Sequence, residues 1–173
     1  MNVETLINAI IQQMPNVNKW QRDFFLHHLG LFLSLRGRYT YLNFERYGQK
    51  NELTYRNHYQ SGFDFQPFNR LLIIEKFTSP QRLLAFDPSY LPKSGKRTPG
   101  VGYFWSGCAN RAQWGLELCG FAAVDVQANP AVHDFAAQTL PHKGQRLMDF
   151  YGNLLRQQAP KLLKMSKCLA VDA

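Results

Sequence analysis

The chain has 173 residues with 45% hydrophobic and 14% aromatic content, which excludes wholesale disorder and leaves room for one ordinary domain or two small ones. Lys and Arg number 20 against 12 Asp and Glu, a formal charge of +8. That surplus suits a polyanionic partner, because neutralising phosphates releases counterions, although many basic proteins bind no nucleic acid. No stretch approaches the ~18 apolar residues of a membrane span, and the first residues lack a basic-then-apolar leader, so a cytoplasmic protein without a membrane partner is expected. Cys108, Cys119 and Cys168 are widely spaced beside apolar residues and read as reduced core thiols.

Before residue 80 apolar residues recur at helical spacing. A first helix is expected over 2–14, with Leu6, Ile7, Ile10, Ile11 and Met14 on one face and Pro15 as its stop. Asn18 can cap a second helix to about Leu35, carrying Trp20, Phe24 and Leu31. His27 and His28 lie in it, and no third ligand stands at metal-binding spacing, so packing or surface roles are expected for them. Arg36-Gly37-Arg38 breaks this helix. Thr40 can cap a short helix over 41–47 ending at Gly48, and Asn51 can cap another over 52–60, ended by Gly62. Helix, glycine-containing turn, helix is a helix-turn-helix pattern. In the second member Thr54, Arg56, Asn57, His58 and Gln60 could reach phosphates and base edges, and Arg38 precedes the first. The plainer alternative is a small helical domain whose polar faces meet only water. A last helix is expected over 65–77, with Pro67 in its first turn.

After residue 80 the pattern is strand-like. The expected order is a short apolar strand over 82–87, a loop over 88–100, and an aromatic strand over 101–108. A third strand over 114–126 has Gly120 as a bulge, and 131–139 adds a short irregular piece. A helix over 143–159, ended by Pro160, leads to a buried strand over 166–171. This β-β-β-α-β order, a meander with a helical crossover, returns the last strand parallel to a neighbour. Asp87 and Asp172 are then expected at the carboxyl ends of two parallel strands, on one edge of the sheet. Paired carboxylates repel unless a hard cation such as Mg²⁺ or Mn²⁺ bridges them. Such a site performs phosphodiester chemistry, with Lys93, Lys96 and Arg97 in the following loop able to clamp a phosphate backbone. A lone strand-terminal Asp also serves as a turn or cap residue, and a basic loop is commonly just solvated. Asp125 and Glu117 are rival acids, expected to be solvent-facing or salt-bridged within the third strand. No Gly-x-Gly-x-x-Gly opening a helix and no Walker loop is present.

Residues 85–107, from Ala85-Phe86-Asp87-Pro88-Ser89-Tyr90 to Gly102-Tyr103-Phe104-Trp105-Ser106-Gly107, resemble the first catalytic motif of bacterial insertion-sequence transposases of the DDE superfamily. Trp114-Gly115-Leu116-Glu117 and Ala122-Ala123-Val124-Asp125-Val126 resemble the strand that follows. Cys168-Leu169-Ala170-Val171-Asp172 resembles the second motif, and Arg36-Gly37-Arg38 with Phe44-Glu45-Arg46-Tyr47-Gly48 resembles the N-terminal helical region. The resemblance implies a ribonuclease-H-like fold, with Asp87 and Asp172 as the first two Mg²⁺ ligands. It also implies strand cleavage and transfer on double-stranded DNA at element ends, by an oligomer associated with the nucleoid. The family's third acid lies downstream on a helix, so the chain is expected to be the front part of a longer reading frame with little or no strand-transfer activity. The organisation expected is therefore α+β: a helical DNA-binding region over 1–80 and a partial ribonuclease-H-like catalytic domain over 81–173. The alternative is a catalytically dead protein that binds DNA, or pairs with intact transposase and inhibits it. A third reading is a basic domain unrelated to DNA.

Overall fold

The computed structural model describes residues 2–95 and 97–171. Among them are six helices and a mixed sheet of five strands, an α+β chain. It divides into two compact units, Met1–Leu71 and Leu72–Ala173, the division falling inside α5 (Phe65–Lys76). No helix of the described residues is long and apolar enough to cross a membrane.

The first unit is built from helices that begin where capping side chains stand. In α1 (Val3–Gln12) Asn2 accepts from the Thr5 N–H, and Leu6, Ile7, Ile10 and Ile11 are buried. Asn18 and Gln21 form a reciprocal capping box at the start of α2 (Lys19–Ser34). Thr40 caps α3 (Tyr41–Tyr47) and Asn51 caps α4 (Glu52–Gln60). Each side-chain oxygen satisfies one of the backbone donors that a helix start leaves orphaned. Tyr55, fully buried on α4, packs with Leu31, Leu35 and Phe44. Gly48 lets this happen: a Cβ there would collide with the Tyr55 hydroxyl and the Phe44 carbonyl.

In the second unit β1 (Arg82–Pro92), β2 (Gly102–Ser106), β3 (Arg111–Asp125), β4 (Ala131–Gln138) and β5 (Leu169–Val171) form one sheet, with α6 (Leu147–Leu162) between β4 and β5. β3 is the spine. Along one edge it pairs antiparallel with β1, and along the other with β2 near its start and β4 near its end. β5 lies beside β1 in parallel. Leu84, Phe121, Ala123 and Cys119 on the sheet meet Leu154 and Leu162 of α6 and the α5 residue Ile73, making one apolar core. Deleting a ring such as Phe121, fully buried there, would cost about 3–5 kcal/mol.

Several expectations are corrected. β1 does not end at Asp87 but runs to Pro92, so Asp87 lies mid-strand opposite Gly120. Prolines are tolerated because of strand parity. Leu84 N–H points to β5, donating to the Cys168 carbonyl. Residues 88 and 92 share its direction, and the described ladder to β5 ends at Phe86, so neither missing N–H interrupts a hydrogen bond. Residues 131–138 are a strand, so the order is β-β-β-β-α-β, and the expected meander is replaced by a sheet in which β1 pairs with β3 while β2 lies on the far side of β3. The bulge is not at Gly120. It lies between Phe121 and Ala122, where Asp134 is the additional residue of β4. Gly120 answers instead to close approach, since a Cβ would strike the Phe135 carbonyl. α6 starts at Leu147 and carries Pro160 within its last turn. β5 is exposed rather than buried, being an edge strand. Cys119 is the buried thiol, and Cys108 and Cys168 are exposed.

Asp125 is neither solvent-facing nor salt-bridged. It is 0% exposed, and its carboxylate accepts from the N–H groups of Ser79 and Thr78 on one oxygen and of Gln127 and Ala128 on the other. The Ser79 N–H, with the other backbone donors, holds this carboxyl below the ordinary aspartate range. A depressed folded value means its stabilisation is present above the unfolded value and is lost as pH falls through the folded one. Asp125→Ala should therefore lower the Tm of the full chain by several degrees at neutral pH. The gap from wild type should narrow below the ordinary value of 3.8. Thermal melts across pH check this, and a gap independent of pH would contradict it.

Candidate functional site

Asp87 sits on β1 with an exposed carboxylate, and its Oδ2 accepts a hydrogen bond from the Ser89 hydroxyl at 3.0 Å. Side chains alternate along a strand. Leu84 and Phe86 face α6, Phe86 packing against Phe121 and Tyr151. Asp87 and Ser89 therefore share the opposite face. Across the parallel ladder Leu84 pairs with Leu169, Ala85 with Ala170 and Phe86 with Val171. Asp87 follows Phe86 in sequence as Asp172 follows Val171; Asp172 lies outside the described residues. The donors that Asp87 and Ser89 offer are all oxygen, the kind Mg²⁺ or Mn²⁺ takes. Among the described residues no group of three or more His, Cys, Asp or Glu side chains could hold a metal ion.

Glu117, the other rival acid, is turned inward. It is buried, and the Tyr151 hydroxyl of α6 donates to its Oε1. Burial, then this carboxylate, drives the Tyr151 hydroxyl pKa far upward, so Tyr151 stays a donor. Burial also raises the pKa of the nearby Cys119 thiol. This pair pins α6 to β3 and leaves Glu117 facing away from Asp87. Neither rival acid joins Asp87.

Lys93 and Arg97 are exposed in the segment between β1 and β2, and Lys96 lies outside the described residues. Because β1 continues past Asp87, this basic segment does not directly follow the acid. Lys93 lies six positions beyond Asp87, roughly 20 Å along the backbone at ~3.3 Å per residue. The segment is anchored, since Gln138 of β4 donates to the Pro99 carbonyl at 2.7 Å.

In the first unit α3 and α4 follow one another across a short turn that begins at Gly48. Their polar side chains divide by role. Thr54 bonds its own cap, Asn51, at 2.7 Å. Arg56 pairs with Glu52 and lies over the Tyr41 ring at 4.6 Å. His58 stacks on Phe24 with 3.8 Å between centroids. Asn57 and Gln60 are exposed, as is Arg38, whose carbonyl accepts from the Asn43 side chain. No protein-family model matches the chain, and neither does any curated protein or solved structure.

What sequence reasoning missed is the histidine–aromatic cluster behind this helix pair. His27 shares a hydrogen bond with the Tyr55 hydroxyl at 2.8 Å and His28 with Tyr59 at 2.7 Å. His28 also lies edge-on to Phe44 and parallel to Phe24. The signal was present: His27 and His28 precede Tyr55 and Tyr59 by about thirty residues, a separation no local rule reads. Burial lowers the pKa of His27, His28 and His58, with lesser pushes from Lys50 on His27 and His58 and from His27 on His28. A depressed histidine contributes stability above its unfolded value, which is lost as pH falls toward the folded one. The first unit should therefore weaken as pH drops below 6.5. Urea unfolding followed by tyrosine fluorescence should show a lower midpoint near pH 5.5 than near 7.5, a difference reduced in His28→Phe. Equal midpoints would contradict it.

Proposed function

We propose that this chain is the DNA-binding and metal-binding portion of a DDE transposase of the insertion-sequence type. On this reading a helix-turn-helix region stands before a ribonuclease-H-like sheet that binds Mg²⁺ or Mn²⁺ and acts on double-stranded DNA at element ends. The carrying observation is the parallel ladder of β5 on β1, formed after antiparallel strands centred on β3 and a helical crossover. The resemblance in residues 85–107 and 168–172 supplies the family, and the +8 charge supplies the affinity for a polyanion.

Asp87 and Asp172 would hold the ion, as neighbouring carboxylates whose mutual repulsion a divalent cation relieves. Bound there, Mg²⁺ supplies activation of a water or 3′-hydroxyl and stabilisation of the leaving oxygen. Ser89, donating to Asp87, fixes the carboxylate's rotamer and directs its remaining lone pairs outward. Lys93, roughly 20 Å along the chain from Asp87, would grip a phosphate about six nucleotides from the scissile bond, with Arg97 farther along the same segment. Asn57, Gln60 and Arg38 are the exposed polar groups of the helical region suited to DNA contact, with Arg56 serving DNA only by leaving Glu52. A second reading is a DNA-binding protein that occupies element ends, or pairs with intact transposase and inhibits it, without cutting. It is favoured by the lack, among the described residues, of a three-acid cluster.

Gel-shift and nicking assays on duplexes carrying terminal inverted repeats separate these readings. The nuclease reading expects Mg²⁺-dependent nicking that Asp87→Ala reduces on the order of a thousandfold, as several kcal/mol of metal stabilisation is lost. DNA affinity should change little. Lys93→Ala should lower the slope of log affinity against log salt by about one. Retardation without nicking supports the second reading, and affinity insensitive to salt contradicts both.

A further inference from the structure

The face of the sheet that carries Asp87 also carries an unusual ribbon. β2 and the start of β3 form a hairpin in which Tyr103 pairs with Trp114 and Trp105 with Ala112. Paired residues of an antiparallel ladder point to the same side. The same alternation along β3 puts Trp114, Leu118 and Gly120 on the side of Asp87, which pairs with Gly120. Tyr103 is 74% exposed, Trp105 60% and Trp114 37%. The Tyr103 and Trp114 rings meet edge to face at 5.3 Å, so they hold each other while their outer surfaces stay open to solvent.

The charge around the ribbon has one sign. Between Asp87 and Glu117 the chain contains Lys93, Lys96, Arg97 and Arg111 and no acidic residue. Arg111 opens β3 opposite Ser106 and is exposed, as are Lys93 and Arg97. Exposed rings beside a stretch of chain that carries cations and no acid match a polyanion that also offers flat apolar surfaces. Duplex DNA offers the charge but keeps its bases stacked on one another. A single strand offers both, and base–aromatic stacking tolerates any sequence.

We propose that the β2–β3 ribbon is a stacking platform for single-stranded DNA. Tyr103 and Trp105 take unpaired bases on their open faces, with Trp114 buttressing Tyr103, and Arg97 follows the phosphates. This deepens the function proposed above and rests on it for the identity of the natural ligand: a strand freed beside Asp87 would be caught on the same face of the sheet.

The test uses the full chain with a labelled oligothymidylate and a duplex of equal length, read by fluorescence polarisation. Trp105→Ala and Tyr103→Ala should each weaken oligothymidylate binding about tenfold, with duplex affinity held within about twofold. Trp105→Phe, which keeps a ring, should stay near wild type and shows that the ring matters rather than the fold. Unchanged oligothymidylate affinity in the alanine variants, or equal losses on both DNAs, would overturn the platform. So would a change in oligomeric state with single-strand affinity intact, which would assign the face to a second copy of the chain. Nicking is scored separately. Its absence in wild type with the stacking effect present counts against the nuclease reading alone, and nicking without the stacking effect counts against the platform alone.

Discussion

The pairing of Leu84, Ala85 and Phe86 with Leu169, Ala170 and Val171 is the constraint on which the rest depends. It joins residues more than eighty positions apart and closes with few hydrogen bonds, so its loop-closure entropy must be met elsewhere. The apolar contact of Leu154 and Leu162 with the sheet meets it by holding α6 against β1 and β3. Ser166 adds a clasp at the crossover's end, donating to the Arg82 carbonyl at 2.6 Å. Without α6 in place, β5 has no reason to choose β1, and Asp87 has no neighbouring strand end.

Polar burial in this unit serves the same purpose. Glu117 and Tyr151 tie β3 to α6, and Asp125 gathers the backbone N–H groups of the α5–β1 connection and of the β3–β4 turn. Each buried acid meets hydrogen-bond donors, four backbone N–H groups at Asp125 and the Tyr151 hydroxyl at Glu117, the condition under which a carboxylate tolerates exclusion from water. Asp87 is the contrast: an exposed acid, mid-strand, bonded only locally to Ser89 in the contacts described. Of these three acids it is the one whose environment suits an external ligand.

Local chemistry was legible in the sequence. Asn18, Thr40 and Asn51 announce helix starts because an N-cap works within three residues, and Gly48 ends α3 where a helix-ending glycine was expected. The parallel return of the last strand was also legible, from strand runs and one amphipathic helix, but the meander was not, because β1 takes β3 rather than β2 as its neighbour. Long-range partners were not. The role of Asp125 depends on N–H groups some forty-six residues away at Ser79. The extension of β1 through Pro88 depends on which side of the strand lacks a neighbour, a fact of topology that a proline rule alone reads backwards. For the same reason the basic segment was expected beside Asp87 and lies a strand's length away.

The proposed nuclease site requires that positions 87 and 172 hold one divalent ion between them. Titration of the full chain with Mn²⁺, followed by the electron paramagnetic resonance of the free ion, tests it without requiring DNA or turnover. The account predicts a single Mn²⁺ site that Asp87→Asn and Asp172→Asn each abolish, while both variants keep the wild-type circular dichroism. Mn²⁺ binding that survives either substitution would contradict it.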